Sequence, residues 1–240
     1  MKNLVIDAGN TRIKVALFDG HKLHSVMVFN PAMSEEFAAW CKSFEPQKIL
    51  LSDVGGKAIE KIGAYLPSVP FFQLSAQLNL PFENLYASKQ TLGADRMALV
   101  AGGIHFFPGK ELLIIDAGTC VTYDVLGSNQ KYLGGNITPG LQMRLQAMHT
   151  FTGKLPLPDF ARPTEVLGTN TQSCLLSGAY FGLVGEIEYF IAHYANQKPN
   201  LKVLLTGGDA QTLAKSLKSS IFVHEHLLLY GLNKILSIND

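Results

Sequence analysis

The stretch LVIDAGNTRIKVALFDG, at Leu4–Gly20, has a second version in the chain, LLIIDAGTCVTYDVLGS at Leu112–Ser128. One constant offset places Asp7 on Asp116 and aligns a strand, a glycine turn and a second strand. An internal repeat of this kind is typical of a duplicated domain. The sequence therefore predicts an α/β protein of two related domains, 1–108 and 109–240.

Each copy begins with a short apolar run that ends in an aspartate, and a glycine follows two residues later. A buried strand that ends this way places the acid at the carboxyl edge of a sheet, where open α/β sheets bind ligands. Glycine lets backbone N–H groups approach a phosphate, and an adjacent aspartate can hold Mg²⁺. A single copy is also compatible with a plain β-hairpin. Two copies in register favour two phosphate loops, and we call them the first glycine turn (Asp7–Asn10) and the second glycine turn (Asp116–Thr119).

The composition excludes several classes of protein. The formal net charge is +1 over 240 residues, which gives no electrostatic field that would select nucleic acid or an anionic membrane. The N-terminal MKNLVIDAGN reaches an aspartate too early for a signal peptide, and we expect no apolar run near the roughly 20 residues that span a bilayer. We therefore expect a cytoplasmic protein. Three cysteines without C-x-x-C spacing argue against a disulfide framework and a thiolate zinc site.

Apolar periodicity and turn residues predict an alternation of strands and helices outside the repeat. Strands are predicted at 23–29, 49–51, 71–74, 131–135 and 201–205, and helices at 34–44, 57–66, 93–106, 139–148 and 171–194. Pro139 is expected at the first position of its helix. The TGGD sequence at 206–209 follows a strand, and it is compatible with a cradle for a base or ribose and equally with a plain helix start.

Six segments together resemble the type III pantothenate kinases, in the order and spacing of that family. They are DAGNTRIK at 7–14, LGADR at 92–96, IDAGT at 115–119, GGNITPG at 134–140, NTxxxxxSG at 170–178 and TGGDA at 206–210. The resemblance spans almost the whole chain. It implies two tandem ribonuclease-H-like domains with a nucleotide cleft between them, the actin-like ATPase fold shared by acetate and sugar kinases, heat-shock chaperone ATPases and actin. It also implies transfer of the ATP γ-phosphoryl group to the hydroxyl of pantothenate, the first step of coenzyme A biosynthesis.

The resemblance assigns nucleotide and cation contacts to both copies of the repeat. The expected ATP-binding residues are Asp7, Ala8, Gly9, Asn10, Thr11, Arg12, Ile13, Lys14 and Thr119. Asp7 is expected near the divalent metal, Mg²⁺, through water. Asp116 is expected to bind a monovalent cation, K⁺ or NH₄⁺.

The same resemblance assigns the pantothenate site. Its expected residues are Tyr86, Gly93, Ala94, Asp95, Arg96 and Thr171. Asp95 is expected to accept the proton of the substrate hydroxyl, which is the base that phosphoryl transfer to an alcohol needs. Thr171 is expected to reach the site from the neighbouring subunit of a homodimer.

Taken without the resemblance, each of these residues has a structural alternative. Asp95 could simply cap or charge the first turn of a helix, and Thr171 could be the N-cap of a helix. Arg96 alone is typical of a surface cation; beside Asp95 it either pairs with that carboxylate or binds a substrate carboxylate through its planar fork. Tyr86 is typical of a packing residue.

Two other functions stay open at the level of sequence. One is a kinase or phosphatase of the same superfamily that acts on a sugar or a polyphosphate. The other is a nucleotide-binding regulatory protein that keeps the fold without the chemistry. Asp7, Asp95 and Thr119 are all present, as a working kinase of this family requires.

Overall fold

The computed structural model describes residues 1–9, 13–29, 39–40, 43–53, 69–75 and 77–239. Asn10, Thr11 and Arg12 of the expected phosphate loop, the predicted helix at 57–66 and most of the one at 34–44 lie outside these residues. The chain divides into two compact units. The first is Met1–Gly109, Ser128–Leu133 and His226–Asp240, and the second is Lys110–Gly127 and Gly134–Glu225. The division into contiguous domains, 1–108 and 109–240, stays a prediction. The compact units differ from it because Ser128–Leu133 and His226–Asp240 belong to the first unit.

The first unit contains a five-stranded sheet of order β3-β2-β1-β4-β5. Its strands are β1 (Lys2–Ala8), β2 (Ile13–Asp19), β3 (Lys22–Phe29), β4 (Lys48–Asp53) and β5 (Phe71–Gln73). The first three strands are antiparallel, whereas β4 runs parallel to β1 and β5 parallel to β4. The central strand β1 is buried from Asn3 to Ile6, as its apolar run predicts.

The second sheet repeats this order. Its strands are β7 (Leu112–Ala117), β8 (Cys120–Gly127), β9 (Lys131–Pro139), β10 (Lys202–Thr206) and β11 (Phe222–Val223), with a short β6 (Glu83–Asn84) added beside β9. The order is β11-β10-β7-β8-β9-β6, so β7 takes the place of β1 and β10 that of β4. β7 is antiparallel to β8 and parallel to β10, as β1 is to β2 and β4. The duplication read from the sequence is therefore present in the sheet topology.

Helices follow the strands in both units. The helices whose bounds lie within the described residues are α1 (Ala94–Phe106), α2 (Leu141–Thr150), α3 (Thr171–Gln197), α4 (Ala210–Ala214) and α5 (Leu227–Leu236). α1 and α5 pack in the first unit at glycines, since a Cβ on Gly231 would lie 1.7 Å from the carbonyl oxygen of Ala98. The expectation for Pro139 was wrong: Pro139 ends β9, and α2 begins at Leu141 after an N-cap at Gly140.

The helix α3 is long and apolar enough, by length and composition alone, to cross a membrane, contrary to the expectation from sequence. Half of the most apolar stretch of α3 is buried inside the protein, however. Tyr180, Leu183 and Ile187 of this helix lie in the core of the second unit, with strands β7 and β8. A core helix of a folded unit meets the same criterion, and the burial of α3 identifies it as one.

Candidate active site

The two repeated aspartates occupy equivalent places in their sheets. Asp7 is the last residue but one of β1 and Asp116 the last but one of β7. Asp7 lies opposite Lys14 across the β1–β2 pair, and Asp116 lies opposite Thr122 across the β7–β8 pair. Both aspartates are half-buried. Each carboxylate therefore stands at the carboxyl end of a central strand, where the sequence placed it.

Asp7 lies in a strongly electrostatic part of the first unit. The pKa of Asp7 is raised to about 6: burial is the largest cause, the charge of Lys14 acts to lower the pKa, and the charge of Asp95 acts to raise it. The structure thus brings the expected metal-binding acid and the expected base close enough for their charges to interact. Ala8, the last residue of β1, and Ile13, the first residue of β2, are buried in the core of the sheet.

Asp95 is fixed at the start of α1. Its Oδ1 accepts a hydrogen bond of 2.8 Å from the backbone N–H of Arg96. Gly93 is the N-cap of the helix, and a Cβ at this position would lie 2.3 Å from the same Oδ1. The absence of a side chain at Gly93 therefore allows the carboxylate to fold back over the helix start, with Ala94 as the first helical residue.

Arg96 is buried, with 5% of its surface exposed, so the alternative that it is a surface cation was wrong. Its guanidinium carbon lies 5.7 Å from the centroid of the Tyr86 ring, within range of a cation–π contact. The backbone N–H of Tyr86 donates to Oδ1 of Asn84 at 2.9 Å, which holds the segment that carries the ring. Tyr86, Asp95 and Arg96 therefore belong to one neighbourhood of the first unit.

The second glycine turn packs tightly against two other glycines of the second unit. Gly140 donates its N–H to the carbonyl oxygen of Thr119 at 3.1 Å, and a Cβ on Gly140 would lie 2.2 Å from the carbonyl oxygen of Gly118. Gly207 has φ of +97°, and a Cβ there would lie 2.4 Å from Oδ1 of Asp116. Both positions exclude a side chain.

The TGGD segment lies directly against the second glycine turn. The N–H of Asp209 donates to the carbonyl oxygen of Ala117 at 3.0 Å. Burial raises the pKa of Asp209. The segment also starts the short helix α4, so the plain helix start is confirmed, while the cradle for a base or ribose stays a prediction.

A hollow of about 460 Å³ adjoins Thr119, which is exposed at the tip of the second glycine turn. Its other wall is one face of α2 and the residue that follows it. The lining residues are Thr119, Gln142, Met143, Gln146, Ala147, Thr150 and Phe151. Nothing in the sequence marked this face of α2 as special, because its residues are of ordinary helical type.

Thr171 is the first residue of α3 and is exposed. The N-cap is Asn170, whose Oδ1 accepts from the N–H of Ser173 at 2.9 Å, while the Ser173 hydroxyl accepts from the N–H of Asn170. The alternative that Thr171 caps the helix was therefore wrong. This reciprocal capping box fixes the helix start and leaves Thr171 exposed at its first position.

Glu186 and three other side chains form a hydrogen-bonded cluster that was not predicted from the sequence, and we call it the Glu186 network. Glu186 accepts hydrogen bonds from the hydroxyls of Tyr123 at 2.8 Å and Thr138 at 2.6 Å, and from Arg144. Burial acts to raise the pKa of Glu186, but the hydrogen bonds from Thr138, Arg144 and Tyr123 outweigh it and the pKa is lowered. Glu186 lies far from its three partners in the chain, so no local motif indicated the cluster.

Within the described part of the chain, no group of three or more His, Cys, Asp or Glu side chains could hold a metal ion. In nucleotide sites Mg²⁺ is bound by one or two carboxylates together with water and phosphate oxygens, so a carboxylate such as that of Asp7 fits this ion. The half-buried carboxylate of Asp7 suits this arrangement, since the bound cation would offset the burial of its charge.

Comparisons with known proteins agree with this geometry. A family model described as type III pantothenate kinase matches residues 3–193. A type III pantothenate kinase from Christiangramia forsetii is 43% identical over 239 residues, which cover 99% of this chain and 98% of that protein. The chain belongs to the type III pantothenate kinase family.

Solved structures establish the fold of this family member. A proposed Baf family transcriptional activator from Campylobacter jejuni matches with a TM-score of 0.61 at 24% identity, covering 98% of this chain and 97% of that one. A ROK family glucokinase from Streptomyces griseus, in complex with glucose and AMPPNP, matches with a TM-score of 0.54 at 11% identity. The match covers 100% of this chain and 99% of the glucokinase chain. The fold of the type III pantothenate kinase is two tandem ribonuclease-H-like domains, as in the actin-like ATPases and sugar kinases.

Proposed function

We propose that this protein is a type III pantothenate kinase that transfers the γ-phosphoryl group of ATP to the hydroxyl of pantothenate, giving 4′-phosphopantothenate for coenzyme A biosynthesis. Membership of the family supports this activity over a regulatory role or another acceptor. One observation carries the assignment of the chemistry. The charge of Asp95 raises the pKa of Asp7, so the two carboxylates lie in one neighbourhood of the first unit, and the proposal makes one of them the metal-binding acid and the other the base.

Phosphoryl transfer needs a held triphosphate, neutralised charge and a base that receives the hydroxyl proton. In the proposed site the first glycine turn and Lys14 hold the phosphates, and Asp7 binds Mg²⁺ through water. Asp95 accepts the proton of the pantothenate hydroxyl. The second glycine turn, through Thr119, contributes a further contact with the nucleotide.

The buried Arg96 supports a role in pantothenate binding. Pantothenate carries a carboxylate, and a guanidinium can bind a carboxylate through two parallel hydrogen bonds. Stacking against Tyr86 holds the planar group in one orientation. We assign Tyr86, Gly93, Ala94 and Arg96 to this subsite together with Asp95.

The cation requirement and the assembly belong to the same proposal. Asp116 binds K⁺ or NH₄⁺, because its carboxylate stands at the end of β7 beside the backbone of Gly207. The protein acts as a homodimer in the cytoplasm, and Thr171 of one subunit reaches the pantothenate site of the other. The exposed position of Thr171 at the start of a capped helix is compatible with that role.

The test is ADP release from MgATP with and without pantothenate, in potassium and in sodium buffer. The proposal predicts ADP release that depends on pantothenate and is faster in potassium than in sodium. A panel of sugars is the matched control for the acceptor. Faster ADP release with a sugar than with pantothenate would refute the acceptor, and equal rates in the two salts would refute the role of Asp116.

A further inference from the structure

The Glu186 network joins four elements of the second unit. Tyr123 lies on β8, Thr138 on β9 and Arg144 on α2, and all three donate hydrogen bonds to the carboxylate of Glu186 on α3. The side chains of Arg144 and Glu186 are 21% and 23% exposed, so the ion pair is largely shielded from water. A shielded and fully hydrogen-bonded ion pair of this kind fixes geometry more strongly than an exposed pair.

The network extends towards the second glycine turn through Arg144. Its Nε donates to the carbonyl oxygen of Pro139 at 2.9 Å, and its backbone N–H donates to the carbonyl oxygen of Gly140 at 3.0 Å. Gly140 in turn donates its N–H to the carbonyl oxygen of Thr119 at 3.1 Å. A continuous series of hydrogen bonds thus leads from Glu186 to Thr119.

The last hydrogen bond of this series, between Gly140 and Thr119, joins two backbone segments that are tightly packed. A Cβ on Gly140 would lie 2.2 Å from the carbonyl oxygen of Gly118 and 2.5 Å from that of Thr119, so the two backbones are already in close contact. A shift of the Pro139–Gly140 segment must therefore move the second glycine turn. Glu186 itself does not belong to that turn, so it acts through Arg144.

We propose that Arg144 and Glu186 are positioning residues that hold the second glycine turn in the conformation that binds the nucleotide. This inference rests on the proposed function, because it takes that turn as a nucleotide contact. It goes further, because it makes the position of the second glycine turn depend on the salt bridge between Arg144 and Glu186. Both residues lie outside every motif of the resemblance. The hydrogen bonds from Tyr123 and Thr138 hold the carboxylate in the orientation that Arg144 needs.

The test is the affinity of the variants for a non-hydrolysable ATP analogue with Mg²⁺, measured by calorimetry, together with the KM values for both substrates. Glu186→Gln keeps the shape of the side chain but removes its charge, and we expect about tenfold weaker binding of the analogue. The KM for ATP should rise similarly, while the KM for pantothenate stays within about twofold. Arg144→Lys cannot hold Pro139 and Glu186 at once, so it should give the same pattern.

Glu188→Gln is the matched control. Glu188 lies on the same helix and accepts hydrogen bonds from the hydroxyl and N–H of Ser219, away from the second glycine turn. This variant should lose stability without any change in affinity for the analogue. Because Arg144 and Glu186 act as one unit, the double variant should bind the analogue within about twofold of Glu186→Gln alone.

Unchanged affinity in Glu186→Gln would overturn the inference, as would equal weakening in Glu188→Gln. A rise of both KM values by the same factor would also overturn it, because a general loss of structure affects both substrates. The binding measurement does not require turnover. If the wild-type protein bound the analogue but released no ADP with pantothenate, the proposed function would fail and the positioning inference would still be tested.

Discussion

Burial makes the negative charge of the Asp7 carboxylate unfavourable in the folded protein. Burial raises the pKa of Asp7 to about 6, and the charge of Asp95 contributes to the same shift. Relative to an exposed aspartate, with a pKa of 3.8, this corresponds to at most about 3 kcal/mol of free energy. Under the proposed function, a cation bound near Asp7 would offset that cost and so stabilise the folded protein.

Asp7→Asn should therefore change the pH dependence of stability in the protein without metal or nucleotide. The folded-state pKa of Asp7 is above its unfolded value, so its contribution to stability is complete below pH 3.8 and is lost as the pH rises through about 6. The asparagine variant does not lose this contribution. Its free energy of unfolding relative to the wild type should be higher at pH 7.5 than at pH 5, by about 1 to 2 kcal/mol in urea titrations.

The coupling with Asp95 provides the control for this prediction. Removing the charge of Asp95 takes away one cause of the raised pKa of Asp7. In the Asp95→Asn background, the pH-dependent gain from Asp7→Asn should be smaller. A gain of equal size in both backgrounds would mean that the two carboxylates do not interact as the structure indicates.

At the scale of elements, the second glycine turn depends on close approach of backbone to backbone. Gly140 and Gly207 both lie against it at distances that leave no space for a Cβ. These glycines come from β9–α2 and β10–α4, so three strand ends converge on the same turn. The turn is therefore held by tertiary packing more than by its own sequence.

Gly140→Ala should damage both stability and nucleotide binding. The added Cβ would meet backbone atoms of Gly118 and Thr119, which cannot rotate away, so we expect a loss of about 1 to 3 kcal/mol in unfolding free energy. The affinity for MgATP should fall at the same time, and calorimetry measures it directly.

Gly182→Ala provides the contrast within the second unit. Gly182 lies on α3 with no atom within 4 Å of the position of a Cβ. Alanine there should stabilise the protein by about 0.5 to 1 kcal/mol through helix propensity and leave nucleotide affinity unchanged. Equal affinity of Gly140→Ala and Gly182→Ala for MgATP would contradict the importance of packing at the second glycine turn.

The elements that were predictable are those with local signals. The duplicated strands, the helix from Ala94 and the long helix from Thr171 follow from apolar runs, glycine turns and polar helix starts. The Glu186 network was not predictable, because Glu186 is distant in sequence from its three partners and only Thr138 lies in one of the motifs. That the C-terminal helix α5 belongs to the first unit was not predictable either, because it depends on packing of α5 against α1, which are distant in sequence.

At the scale of the whole molecule, the proposal requires two chains for each complete pantothenate site. Thr171 is exposed in the single chain, at the first position of a helix that Asn170 and Ser173 cap. A side chain in this position can serve a neighbouring subunit without any change in its own fold. The closed two-fold dimer is the commonest assembly that would place two such residues symmetrically.

Subunit mixing tests this arrangement. Asp95→Asn and Thr171→Arg should each remove most of the activity, the second by placing a bulky charge in the neighbour's site. Co-expression of the two variants should restore about a quarter of wild-type turnover, because half of the dimers are mixed and each mixed dimer has one intact site. A monomer in analytical ultracentrifugation, or no activity above that of the separate variants, would contradict the shared site.

The central claim is that this chain phosphorylates pantothenate with Asp95 as the base. Its most direct test is the rate of 4′-phosphopantothenate formation by Asp95→Asn, with the affinity for the ATP analogue measured on the same preparation. The proposed mechanism predicts a rate at least about a hundredfold below wild type with the affinity for the analogue retained, as expected for loss of a general base. Product formation by this variant at the wild-type rate would contradict it.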